Sequence, residues 1–116
     1  MRFAKAHNLK LVIKASGHDF LGRSTARNSF LIWTSHLQNI TFHDSFLVGK
    51  QNMGSAVTVG SGVRLNAIYP ATKVQGKIYV GGTAATVVAA GGYVQGAGHS
   101  ALSPLLGLAA DNTIGG

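Results

Sequence analysis

The stretch Leu11-Val12-Ile13-Lys14-Ala15-Ser16-Gly17-His18-Asp19 decides how the chain is read. Leu-Val-Ile runs without polar alternation, which marks a strand buried on both faces. The run ends in a small, glycine-containing turn with a histidine at its tip. Such a turn delivers one reactive side chain and several free backbone N–H groups to a phosphate-bearing ligand. A second glycine cluster follows at Gly91-Gly92-Tyr93-Val94-Gln95-Gly96-Ala97-Gly98-His99-Ser100. Two such loops in one small chain point to a large ligand held by backbone.

The 116 residues suffice for one small domain with a modest core, and with 46% hydrophobic residues the chain is not a disordered tail. Its 16 glycines have no three-residue period and cluster at loops, so they act by position. Ten Lys and Arg against three Asp and Glu give a net charge of +7, suited to a polyanionic partner. The bases are scattered, with no basic run interleaved with aromatics, so nucleic acid is not the expected partner. No window is apolar for long enough to span a bilayer, so no membrane partner is expected either. The lack of cysteine removes disulfides, thiolate catalysis and Cys-based zinc sites. Met1–His7 reads as the middle of an amphipathic helix, without a secretion signal, and Asn112–Gly116 stops where a strand would begin. Residues 1–116 are therefore expected to be one partial domain, cut at both ends.

Along the chain, residues 2–8 read as a helix with Phe3 and Ala6 facing a core. Residues 10–14 read as a buried strand and 15–28 as a polar loop with turn formers Gly17, Asp19, Gly22, Ser24 and Asn28. Further strands are expected at 29–33, 40–43 and 56–60, with a polar connection around Gly49-Lys50-Gln51-Asn52. Gly60-Ser61-Gly62 turns into a helix over 63–74, which Pro70 should kink or split. A short strand is expected at 77–80, a helix at 86–93 weakened by Gly91 and Gly92, and a short helix near 103–108. Mixed strands and helices make this an α+β or α/β layer arrangement.

Locally, His18 is open to two readings: a turn residue bonded to a neighbour, or a nucleophile or attachment point beside a glycine that lets an anion approach. His99-Ser100 with Asp111 lacks the nucleophile-elbow glycines, so a hydrolase triad is not expected. Gly60-Ser61-Gly62 resembles half of a dinucleotide fingerprint. Its sixth position is Leu65 and no acid follows at the required distance, so it reads as a tight turn. The histidines at 7, 18, 36, 43 and 99 and the three aspartates show no metal-ligand spacing.

Taken in order, the residue 3–19 string, Ala56-Val57-Thr58-Val59-Gly60-Ser61-Gly62-Val63, Val80-Gly81-Gly82, the run from Ala89 to Ser100 and Leu106-Gly107-Leu108-Ala109-Ala110-Asp111-Asn112 resemble one family. It is the FAD-binding domain of vanillyl-alcohol-oxidase-type flavoproteins, nearest to the berberine-bridge-enzyme-like and 6-hydroxynicotine-oxidase-like oxidases. The resemblance covers nearly the whole chain. It implies an α+β fold, part of a two-subdomain PCMH-type domain with mixed and antiparallel sheets and flanking helices. It also implies FAD as cofactor. Lys14, Ala15, Ser16, Gly17, His18 and Asp19 match the pyrophosphate loop, with His18 at the position bonded to the flavin 8α carbon. Gly81, Gly82, Thr83 and Thr86 match a second cofactor loop. Gly91, Gly92, Gly96, Gly98, His99 and Ser100 match the glycine-rich segment along the cofactor.

The departures are specific. Many relatives carry Cys-Pro where Ala84-Ala85 stands, so a second, thioether link is excluded here and attachment through His18 alone is expected. Relatives usually carry glycine where Val88 and Ala97 stand, and Val88 is expected to put β-branched bulk at the cofactor wall. The resemblance implies the FAD-binding portion of an oxidoreductase that removes hydride from a small-molecule C–H next to O or N and passes electrons to oxygen. The catalytic base and substrate pocket would then come from chain outside these residues, leaving residues 1–116 inactive alone. The alternatives are a non-catalytic remnant of such an oxidase and, with less support, a basic polyanion-binding module. A bound yellow chromophore favours the first reading, and steep salt dependence of nucleic-acid binding the last.

Overall fold

Helix α1 (Arg2–Ala6) leads into strand β1 (Lys10–Lys14), which pairs in parallel with β2 (Ser29–Trp33), setting Val12 opposite Leu31 and Lys14 opposite Trp33. Residues 1–115 are described by the structure, a computed structural model. Parallel strands need a crossover, which is usually a helix. Here residues 15–28 make it as turns and bends, so Gly17 and His18 ride on an irregular segment with a strand at each end. Strand β1 is not buried on both faces as expected: only Val12 is buried, and Ile13 is 54% exposed. Burial on both faces needs a layer packed over each, and the face that carries Ile13 lies open.

Strand β3 (Ile40–His43) is followed by a small hairpin of β4 (Leu47–Val48) and β5 (Gln51–Asn52), then by β6 (Ala56–Val59). β6 returns antiparallel to β3, with Ile40 opposite Val59 and His43 opposite Ala56. The hairpin was expected only as a polar connection. It forms because Gly49, at φ 60, and Lys50 reverse the chain between strands too short to carry an alternation signal.

Helix α2 (Leu65–Val74) carries the core: Leu65 and Ile68 are fully buried and meet Val63 and Ala89, with Ile40, Val57, Val59, Tyr69, Tyr79 and Val87 around them. Burying each of these two side chains contributes about 1.5–3 kcal/mol. The helix begins two residues later than expected and is neither split nor interrupted at Pro70, which lies exposed on its outer side. The Thr72 hydroxyl donates to the carbonyls of Ile68 and Tyr69 at 3.0 and 3.1 Å, bracing the turns around the proline.

Three further expectations are corrected. α1 is shorter than expected, ends ahead of Asn8 at φ 50, and buries Ala4, leaving Phe3 and Ala6 exposed; Phe3 lies against the rings of His7 and Phe30. Residues 77–80 form no strand, because no described segment pairs with them, and Tyr79 and Val80 instead turn inward. The expected helix at 86–93 shrinks to α3 (Gly92–Gln95). Its first half spends its backbone elsewhere: Leu65 N–H donates to the Val87 carbonyl at 2.9 Å, Ala89 N–H to Val63 at 2.8 Å, and Val88 bridges Arg64. Helix α4 (Ser103–Leu106) stops at Gly107, which has φ 78. No helix among the described residues is long and apolar enough to cross a membrane.

Candidate cofactor site

The first loop is built on the end of β1. Gly17 has φ 89, a left-handed conformation that favours glycine, and a Cβ there would lie 2.8 Å from Lys14 Cε. The Lys14 stem therefore lies across Gly17, while its Nζ sits 4.9 Å from the Trp33 ring centroid, a cation–π distance. Trp33 Nε1 donates to the Ala15 carbonyl at 2.9 Å, and the Thr34 hydroxyl donates to the carbonyls of Lys14 and Ser61. The loop is thus held from beneath by β2 and the turn after it. Ser16 caps it, its Oγ accepting the His18 N–H at 3.2 Å. Asp19 is committed to its own loop: its carboxylate accepts from Leu21 N–H, Ser24 N–H and Arg23 Nε. Desolvation opposes ionisation, but these donors and the Arg23 charge outweigh it and hold the Asp19 carboxyl below its usual 3.8.

The second and third loops meet the first through particular side chains. His18 Nε2 lies 2.8 Å from Thr86 Oγ1, across 68 positions of sequence. A Cβ on Gly91 would stand 3.0 Å from the Ala15 Cβ. Tyr93 donates to the carbonyls of Gly98 and His99 at 3.1 and 3.0 Å, and a Cβ on Gly82 would come within 3.3 Å of its ring. Tyr69 donates to the Gly82 carbonyl. Burial raises the phenols of Tyr69, Tyr79 and Tyr93, Tyr79 to about 12, so at neutral pH all three remain protonated donors. None of Trp33, Thr34, Tyr69 or Tyr93 stands out in the sequence as a site residue. Each acts by bracing a loop from another element, and a lone aromatic or threonine carries no local sign of that.

Lys14, Ala15, Ser16, Gly17, His18, Thr86 and Gly91 are thereby gathered into one region, with Gly82, Gly98 and His99 joined behind them through Tyr93. Gly92, Gly96 and Thr83 are exposed on the same two segments. Gly81 serves packing, since a Cβ there would collide with Tyr69 and Leu65. Ser100 is only 2% exposed, and its hydroxyl accepts the Leu102 N–H, so it shapes the start of α4. Asp111 accepts the Leu108 N–H, and no Ser-His-Asp arrangement forms with His99. Val88 departs from its expected place. It is 3% exposed, so it offers almost no surface to a ligand.

The residues present suit a dinucleotide. Among the described residues, the N–H groups of Ser16 and Gly17, and those of Gly82, Thr83 and Ala84, donate to no protein acceptor. Uncommitted amides at a left-handed glycine, under a lysine that makes no ion pair among the described residues, match the acceptors and charge of a pyrophosphate.

A family model described as an FAD binding domain matches residues 1–115. The chain is 48% identical, over 98% of its length, to an uncharacterized FAD-linked oxidoreductase of Arthroderma benhamiae, and covers 20% of that protein. It is 44% identical to the flavin-dependent oxygenase ucdF of Aspergillus ustus, covering 98% of this chain and 21% of the relative. Among solved structures, the VAO-type flavoprotein MtVAO615 of Myceliophthora thermophila C1 matches with a TM-score of 0.88 and 40% identity, over 95% of this chain and 20% of that one. MtVAO713 of the same organism matches at 0.86 and 30%, with the same coverage. The chain thus spans about one fifth of the length of these relatives. The mixed helices and sheets are those of the VAO-type FAD-binding fold.

Proposed function

The chain belongs to the FAD-binding domain family, and from that premise we propose that it holds FAD for a flavin-dependent oxidoreductase, with residues 14–19 on the pyrophosphate and His18 bonded to the flavin. The observation that carries this reading is the free amides of Ser16 and Gly17 beneath Lys14, one residue before an exposed imidazole. When bound, FAD supplies the ring that accepts a hydride. The chain's own residues bind and orient it: backbone amides and Lys14 offset the phosphate charge, and the glycine-rich segment lets backbone approach closely.

Attachment is single in this reading. Ala84 and Ala85 cannot form a thioether, and the chain has no cysteine. The reaction class we assign to the full-length protein is hydride removal from a C–H next to O or N of a small molecule, with oxygen as electron acceptor. Support comes from relatives named as FAD-linked oxidoreductases and as a flavin-dependent oxygenase. No residue of this chain is assigned as catalytic base, and the substrate pocket is placed outside residues 1–116.

The test is covalent attachment in the full-length protein that contains these residues. After acid denaturation, flavin fluorescence should stay on the protein band, and peptide mapping should find it within residues 1–116 only on the His18 peptide. His18→Ala should abolish it. Covalent flavin that survives His18→Ala overturns the assignment.

A further inference from the structure

We propose that Thr86 is the positioning residue for His18, selecting which ring nitrogen meets the flavin. The proposal rests on the reading of His18 as the attachment residue. The two side chains are 2.8 Å apart, Thr86 Oγ1 against His18 Nε2, and both residues are exposed. Neither hydroxyl nor ring nitrogen has a second side-chain partner among the described residues. The contact therefore fixes the ring rather than taking part in a wider network.

The chemistry follows from the tautomer. A neutral imidazole carries one N–H and one lone pair. The Thr86 hydroxyl can donate or accept, and the arrangement that leaves a nucleophile facing a ligand is Nε2–H donating to Thr86 Oγ1, with the lone pair on Nδ1. The bond forms between Nδ1 and the flavin 8α carbon, and one C–H bond of that methyl group breaks. The methyl proton and the Nε2 proton are released, and the electron pair of the C–H bond enters the flavin ring system. Molecular oxygen then takes two electrons and two protons and leaves as hydrogen peroxide. Thr86 Oγ1 sits where the Nε2 proton departs, so it orients the ring before attack and receives the proton's hydrogen bond as positive charge develops on the imidazole.

A histidine that merely needed space would tolerate loss of the hydroxyl, whereas a positioned one would not. The test uses the full-length protein containing this segment, freed of flavin and mixed with FAD under air. Two readouts are taken: total FAD bound, by quenching of flavin fluorescence, and acid-stable FAD, sampled over time. At saturating FAD, Thr86→Val should attach the FAD that it binds about tenfold more slowly than the parent, the order of a lost hydrogen bond. Thr86→Ser should attach within about threefold of the parent rate, because it keeps the oxygen. Attachment by Thr86→Val at the parental rate overturns the proposal. So does a loss of acid-stable FAD that only follows lost binding, with the rate of attachment per bound FAD unchanged. If the parent protein binds FAD without ever attaching it, or His18→Ala still attaches it, the reading of His18 fails. If His18 is required and Thr86→Val is silent, only the role of Thr86 fails.

Discussion

Ala15 and Gly91 meet face to face: a Cβ on Gly91 would stand 3.0 Å from the methyl of Ala15. Gly91 has a negative φ, −154, so no left-handed backbone calls for glycine there, and the space beside Ala15 does. The contact seats the glycine-rich segment directly against the loop that carries Gly17 and His18. The distance between two cofactor loops is thus set by the absence of one methyl group.

Gly91→Ala in the full-length protein should weaken FAD binding several-fold, because the Ala15 end of the loop must shift by a few tenths of an ångström and carry the Ser16 and Gly17 amides with it. Ala15→Gly made in the same protein should recover most of the loss. A double-mutant cycle on the FAD dissociation constant measures this coupling. Additive losses would mean that the two loops adjust independently.

Ala97 should be improved by glycine. It follows α3 and its cap Gly96, at φ 72, the left-handed position after a helix where glycine is preferred. Its methyl makes that conformation costly, and Ala97→Gly should stabilise the protein by about 1 kcal/mol. The midpoint of urea unfolding reports the change. A lower midpoint would show that the methyl contributes more through packing than it costs in backbone strain.

Val88→Gly should destabilise rather than open the cofactor wall. Val88 is buried and would contact a Cβ on Gly91 at 3.5 Å, while its backbone bridges Arg64. Loss of the side chain leaves a cavity and adds chain entropy, together about 2–4 kcal/mol. Thermal unfolding should begin at lower temperature, with FAD occupancy no higher than in the parent. A rise in occupancy with unchanged stability would put Val88 back on the cofactor wall.

The partly buried tyrosines predict alkaline sensitivity. The Tyr79 phenol titrates near 12 in the folded protein, raised by desolvation and by Tyr93 and Tyr69, against an ordinary value of 10.0. A raised folded value means that its contribution is complete below pH 10 and is lost as pH rises toward 12, because the unfolded chain ionises first. Stability of the parent protein should fall across this window, and Tyr79→Phe should flatten the fall. Identical pH profiles for the two proteins would show that Tyr79 ionises as freely folded as unfolded.

Strands β1, β2, β3 and β6 could be placed within a residue from the sequence, because β-branched runs between turn formers report a backbone preference that is local. The turn at Gly17-His18 was legible for the same reason, and the impossibility of a thioether link follows from residue identity at 84 and 85 alone. Tertiary structure decided the rest. Residues 77–80 have the composition of a strand but no partner strand among the described residues, and Thr86–Ala90 is drawn out of a helix by bonds to Val63 and Leu65. Val88 is buried where its backbone bridges Arg64, and Thr86 reaches His18 across 68 positions. A hydrogen bond between segments so far apart leaves no periodicity in either one. Only the packed chain, which brings donors and acceptors from distant segments together, shows which loops meet and which methyl groups the cofactor site has no room for.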